Sequence, residues 1–115
     1  WKETSGGLDV VERMFDDVGL EPKALFELAA DVIEDWNFHR LPSKVNETSS
    51  YFRGVSRFYA EADGVPFAVH VEVAGSGSKS RIILRAFAPG EHVEPLAEFV
   101  ESELSKRFDI SKSRQ

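Results

Sequence analysis

A chain of 115 residues with no cysteine and a formal charge of −6 suits one folded domain, residues 1–115, and excludes disulfides, thiolate metal sites and cysteine nucleophiles. A hydrophobic share of 42%, with nine Phe and two Trp, is enough for a core, while no apolar run approaches the roughly 20 residues that span a bilayer. The net acidity argues against general affinity for nucleic acid, which rests on neutralising phosphates.

The charge is unevenly spread. Residues 1–49 carry five basic and eleven acidic groups, residues 50–89 five basic and three acidic, and residues 90–115 four basic and six acidic. A mildly basic middle therefore lies between acidic flanks. Trp in place of Met at position 1 fits a piece of a longer or processed chain. The absence of cysteine agrees with an intracellular setting without fixing one.

In "SGGLDVVERMFDDVG" the residues Leu8, Val11, Met14, Phe15 and Val18 recur at helical spacing. Asp9 and Glu12 suit the start of a helix and Gly19 its end, which predicts a helix over 8–18. A second helix is expected over 22–37. Pro22 fits a first turn, and Ala24, Leu25, Leu28, Ala29, Val32, Ile33 and Trp36 form one stripe opposite Glu27, Asp31, Glu34 and Asp35. The stretch "HRLPSKVNETSS", interrupted by Pro42, reads as a loop. It holds the glycosylation triplet Asn46-Glu47-Thr48, a pattern common enough by chance to imply nothing alone.

From Ser50 onward the period becomes two, and strands are expected over 50–62, 66–74 and 81–88. Asp63-Gly64 between alternating segments marks a hairpin. With that turn, Ala60 faces Phe67, Phe58 faces Val69, Ser56 faces Val71 and Gly54 faces Val73, a face of small or apolar pairs. The third strand continues the parity, with Val73 on Ile82, Val71 on Leu84, Val69 on Ala86 and Phe67 on Ala88. The stretch "GSGSKS", 75–80, is then a hairpin connection. A phosphate-cradling loop needs Gly directly before Lys-Ser and a helix after it; here Ser78 precedes Lys79 and a strand follows. A last helix is expected over 92–108, with Val93, Leu96, Ala97, Val100 and Leu104 as its stripe, extended by Phe99 and Phe108.

These elements define an α+β fold in the order α-α-β-β-β-α, a three-stranded antiparallel meander packed by helices. The order α-β-β-β-α over residues 22–107 is similar to that of double-stranded-RNA-binding domains, in topology only. That family grips phosphates with a basic cluster at the start of its last helix. Here the corresponding stretch carries Glu91, Glu94, Glu98 and Glu101, which would repel a phosphate backbone.

The meander's outward face holds the candidate site. Arg57, His70 and Arg85 form one cross-strand row, Arg53 and Arg81 flank Ala74 in another, and Tyr51, Tyr59 and Phe87 lie among them with Glu72. Arginine forks suit carboxylate or phosphate, and aromatic rings add contact area. The expected function is a non-catalytic protein-binding or assembly module that uses this face or the first helix, with another protein or a second copy as partner. An RNA or small-polyanion binder using the same face is the alternative, and a small enzyme centred on His70 and Glu72 the third reading. No cofactor is implied. His39, His70 and His92 lack metal-ligand spacing, and no Ser sits in a nucleophile elbow.

Overall fold

The computed structural model describes residues 8–16, 19–77 and 79–107. Its strands are β1 (Asp9–Phe15), β2 (His39–Arg40), β3 (Lys44–Glu47), β4 (Phe52–Ala62), β5 (Val65–Ser76) and β6 (Lys79–Ala88). They form one antiparallel sheet in the order β1-β6-β5-β4-β2, with β3 also paired to β4. Two helices, α1 (Pro22–Glu34) and α2 (Val93–Ser105), pack on the same side of it; a 3-10 turn, Gly90–His92, leads into α2.

The architecture is α+β with an antiparallel sheet, but two expectations about its elements fail. Residues 9–15 form a strand, where helical spacing predicts a helix over 8–18. The segment DVVERMF satisfies both periods, since Val11, Arg13 and Phe15 also alternate. The open edge of β6 decides between them. Seven antiparallel pairs from Asp9↔Ala88 to Phe15↔Ile82 form there, and Phe15 reaches the core at 1% exposure. Arg13 packs towards α2 and binds Glu94 at 3.2 Å and Glu101 at 3.3 Å. Positions 17 and 18 of that expected helix lie outside the described residues.

The second failure is the loop over 39–50, which contributes β2 and β3 to the far edge of β4. β2 and β3 run on in the same direction along β4 with one extra residue around Pro42, and the Ser43 and Ser56 hydroxyls lie 2.7 Å apart, satisfying the fully buried Ser56. The order is therefore β-α-β-β-β-β-β-α, a six-stranded sheet in place of the meander of three, and it departs from the α-β-β-β-α order considered above.

The meander itself has the expected register from Arg53↔Ala74 to Ala60↔Phe67, and from Val73↔Ile82 to Val69↔Ala86. Asp63 and Gly64 both take positive φ in a two-residue turn, the geometry that right-twisted hairpins favour. The connection at "GSGSKS" is shorter than expected, because Gly75↔Ser80 and Ser76↔Lys79 are still paired. Glycine permits it: a Cβ on Gly75 would stand 2.1 Å from the Lys79 carbonyl oxygen.

The inward sheet face (Phe58, Val69, Val71, Val73, Ile82, Leu84) meets Leu25, Phe26, Ala29 and Ile33 of α1 and Val93, Leu96, Ala97, Val100 and Leu104 of α2. Helix α1 is shorter than expected, its buried stripe including Phe26 and Ala30 and leaving Ala24 exposed. Asn37, at φ 68, turns the chain out of it. Helix α2 is shorter than expected and buries Val93, Leu96, Ala97, Val100 and Leu104, whereas Phe99, expected to extend that stripe, stays exposed with its ring against Trp36; Phe108 lies outside the described residues. No helix among the described residues is long and apolar enough to cross a membrane.

Candidate functional site

Because both helices occupy one side of the sheet, alternate residues of every strand point to the other, and pairing sorts them into rows. The first row runs Val10, Phe87, Ala68, Tyr59, His39. The second runs Glu12, Arg85, His70, Arg57, and the third Met14, Ile83, Glu72, Val55, Lys44. A fourth holds Arg81, Ala74, Arg53 and Asn46, with Asp16 beside Arg81. Four inter-strand spacings make the first row about 19 Å long.

At this first-row end a groove of about 710 Å³ opens, lined by His39, Leu41, Arg57, Phe58, Tyr59, Ala68, His70 and Phe87. The His70 and Phe87 rings lie 4.6 Å apart at 50°. Leu41 is held at the rim by its backbone N–H, which donates to the Arg57 carbonyl at 2.8 Å. Burial, and after it the charges of Arg57 and Arg85, hold the His70 pKa below the ordinary histidine value. The imidazole is therefore neutral at pH 7.

The eight residues singled out in the sequence divide between two ends of this face. Arg57, Tyr59, His70 and Phe87 meet at the groove. Tyr51 and Arg81 lie at the opposite end, where they line a shallow depression with Asp16 and Ala74; Arg53 stands in the same row as Arg81. Arg85 lies between the ends, bound to Glu12 at 3.3 Å and Glu72 at 3.5 Å.

Acidic side chains occupy most of the arginines. Arg53 holds Glu72 at 2.9 Å, and Arg81 holds Asp16. Glu12 and Asp16, which helical spacing places on a helix over 8–18, reach Arg85 and Arg81 from the edge of the sheet. Among the described residues Arg57 has no carboxylate partner. Both oxygens of Glu72 accept from arginines, and no hydrogen bond joins it to His70 among the described residues.

His39, Leu41, Val10 and Met14 complete the face and were missed in the sequence. Helical spacing over 8–18 places Val10 and Met14 on a helix, and the interruption at Pro42 places His39 and Leu41 in a loop. Extending the two-residue alternation backwards from Arg40 (Phe38 inward, His39 outward, Leu41 outward) is the signal that would have found the second pair. No group of three or more His, Asp or Glu among the described residues is placed to hold a metal ion. Comparison with protein-family models, curated proteins and solved structures returns no match.

Proposed function

We propose that this chain is a non-catalytic binding module that receives a protein partner on the outer face of its sheet. One observation carries the reading: both helices pack on the inward face, so no helix lies over the outer face among the described residues, where Val10, Met14 and Leu41 stand exposed. Val10, Leu41 and the half-buried Phe87 give apolar contact area bordered by charged groups, the pattern of an interface core with a polar rim. The polyanion alternative draws less support. Of its four arginines, Arg53, Arg81 and Arg85 already hold carboxylates of the same chain, which a phosphate backbone would have to displace. The enzyme alternative needs a free Glu72, whose carboxylate two arginines hold.

A photo-crosslinking phenylalanine analogue placed at position 59 or 87, with the exposed helix position 27 as control, tests this in cells. The expected result is a discrete protein adduct from 59 and 87 and none from 27. A nuclease-sensitive adduct at 59 and 87 overturns the reading in favour of RNA. An adduct containing only this chain overturns it in favour of self-assembly.

A further inference from the structure

We infer that β1 is a docking edge whose occupant is a second copy of this chain, the two β1 strands pairing antiparallel about a two-fold axis at Val11. The inference goes beyond the docking reading above. It concerns the rim of the sheet, and a dimer formed there continues the outer face of one copy into that of the other.

The two rims are built differently. On the far rim β2 and β3 have two and four residues. An extra residue around Pro42 interrupts their pairing with β4, and β3 carries Lys44. Short strands, proline, bulges and lysine are the means by which a sheet edge is kept from pairing with another chain. β1 has none of these. It runs unbroken through DVVERMF and pairs with β6 at every residue. Among the described residues no strand pairs with its other side. Its outward side chains Val10 and Met14 are 55% and 50% exposed. Arg13, an inward-pointing charge, would resist being covered if it stood alone, but Glu94 and Glu101 of α2 already hold it at 3.2 and 3.3 Å.

Charge selects the occupant and its register. A two-fold axis normal to the sheet joins like strands antiparallel and keeps the helices of both copies on one side, so inward residues meet inward residues. Three registers of this kind pair five or more of the residues Asp9–Phe15. Centring on Glu12 sets Glu12 opposite its own copy, and centring on Arg13 does the same to Arg13; like charges directly opposite destabilise. Centring on Val11 instead sets Asp9 opposite Arg13 on both sides of the axis, Val11 opposite Val11 and Val10 opposite Glu12, with Leu8 reaching Met14 just beyond. Glu12 is meanwhile drawn back towards β6 by Arg85 at 3.3 Å. The strand is its own complement: an acid and a base four positions apart exchange partners across the axis.

The chain has no cysteine, so single cysteines report the register directly. In this dimer residue 11 meets its own copy at about 4.5–5.5 Å between Cα atoms, a span that a disulfide accepts. Residues 10 and 12 are offset from their copies by two positions, beyond the roughly 7 Å that a disulfide can bridge. Val11→Cys, Val10→Cys and Glu12→Cys are oxidised side by side, while light scattering follows the parent chain on dilution. The expected results are a parent mass of twice 12.9 kDa that falls on dilution, and a linked dimer that forms from Val11→Cys about tenfold faster than from the other two. Met14→Lys, at an exposed outward position, should weaken the dimer about tenfold or more, with an unchanged denaturation curve to show an intact fold.

A monomer at every concentration up to the near-millimolar range overturns the inference. So does a dimer that Met14→Lys leaves equally tight, or one that links through position 10 or 12 as fast as through 11. Position 59 lies on β4, three strands in from β1 and out of reach of an edge-paired copy. Adducts from that position therefore judge the outer-face reading separately, and either reading can fall while the other stands.

Discussion

Gly54 lacks a side chain because the ring of Phe26 occupies the space one would need. A Cβ at position 54 would lie 2.9 Å from the edge of that ring and 3.0 Å from Phe52. Phe26 is 2% exposed and cannot swing aside without disturbing the core. Gly54→Ala is therefore expected to lower stability by about 1–3 kcal/mol, the usual effect of overpacking, measured by urea denaturation. His70 allows a second prediction at this scale. Its folded-state pKa lies below the ordinary 6.5, so the native state takes up its proton less readily than the unfolded chain. The associated stability is complete above pH 6.5 and is lost as pH falls through that value towards the folded pKa. Denaturation curves at pH 7.5, 6.5 and 5.5 should show stability declining, with a smaller decline in His70→Gln. The partners of these residues were unequally readable. The pairing Gly54↔Val73 follows from alternation and the Asp63-Gly64 turn, whereas Phe26 sits off the simple helical stripe, and its position over Gly54 emerges only when α1 is laid on the sheet.

Among the elements, β1 shows how a segment with two compatible periods is decided by what it meets. In isolation DVVERMF suits a helix as well as a strand. The free hydrogen-bonding groups along β6, and Arg85 and Arg81 opposite Glu12 and Asp16, are distant in sequence and invisible to a local window. Phe15 anchors the strand at 1% exposure. Phe15→Ala is expected to destabilise the protein by about 3–5 kcal/mol. Hydrogen exchange should show amide protection falling more along the β1–β6 ladder than along β4–β5. β2 and β3 were hidden for another reason. At two and four residues they are too short for alternation to register, and Pro42 between them reads as a loop.

For the whole molecule, the parts readable in advance were those whose contacts are close in sequence. The two hairpins joining β4, β5 and β6, the face that α1 and α2 cover, and the row Arg57–His70–Arg85 all follow from alternation and turn chemistry. The width of the sheet does not, because both flanks are built from segments that find β6 and β4 only in three dimensions. The candidate site suffered in proportion: its centre was identified, but its rim of Leu41, His39, Val10 and Met14 was not, since that rim lies on the flanking strands.

The sheet order also governs the timing of assembly. The first strand pairs with the last, so Glu12 meets Arg85 across 73 positions. A ribosome delivers β1 before α1, β4 and β5, and β6, its strand partner among the described residues, only after them. In the interval α1, β4 and β5 can associate through neighbouring contacts, while residues 9–15 have no edge to join. Formation of the β1–β6 ladder is then the late, slow closure expected when paired residues lie 73 positions apart, and a truncation before β6 removes the edge that β1 joins.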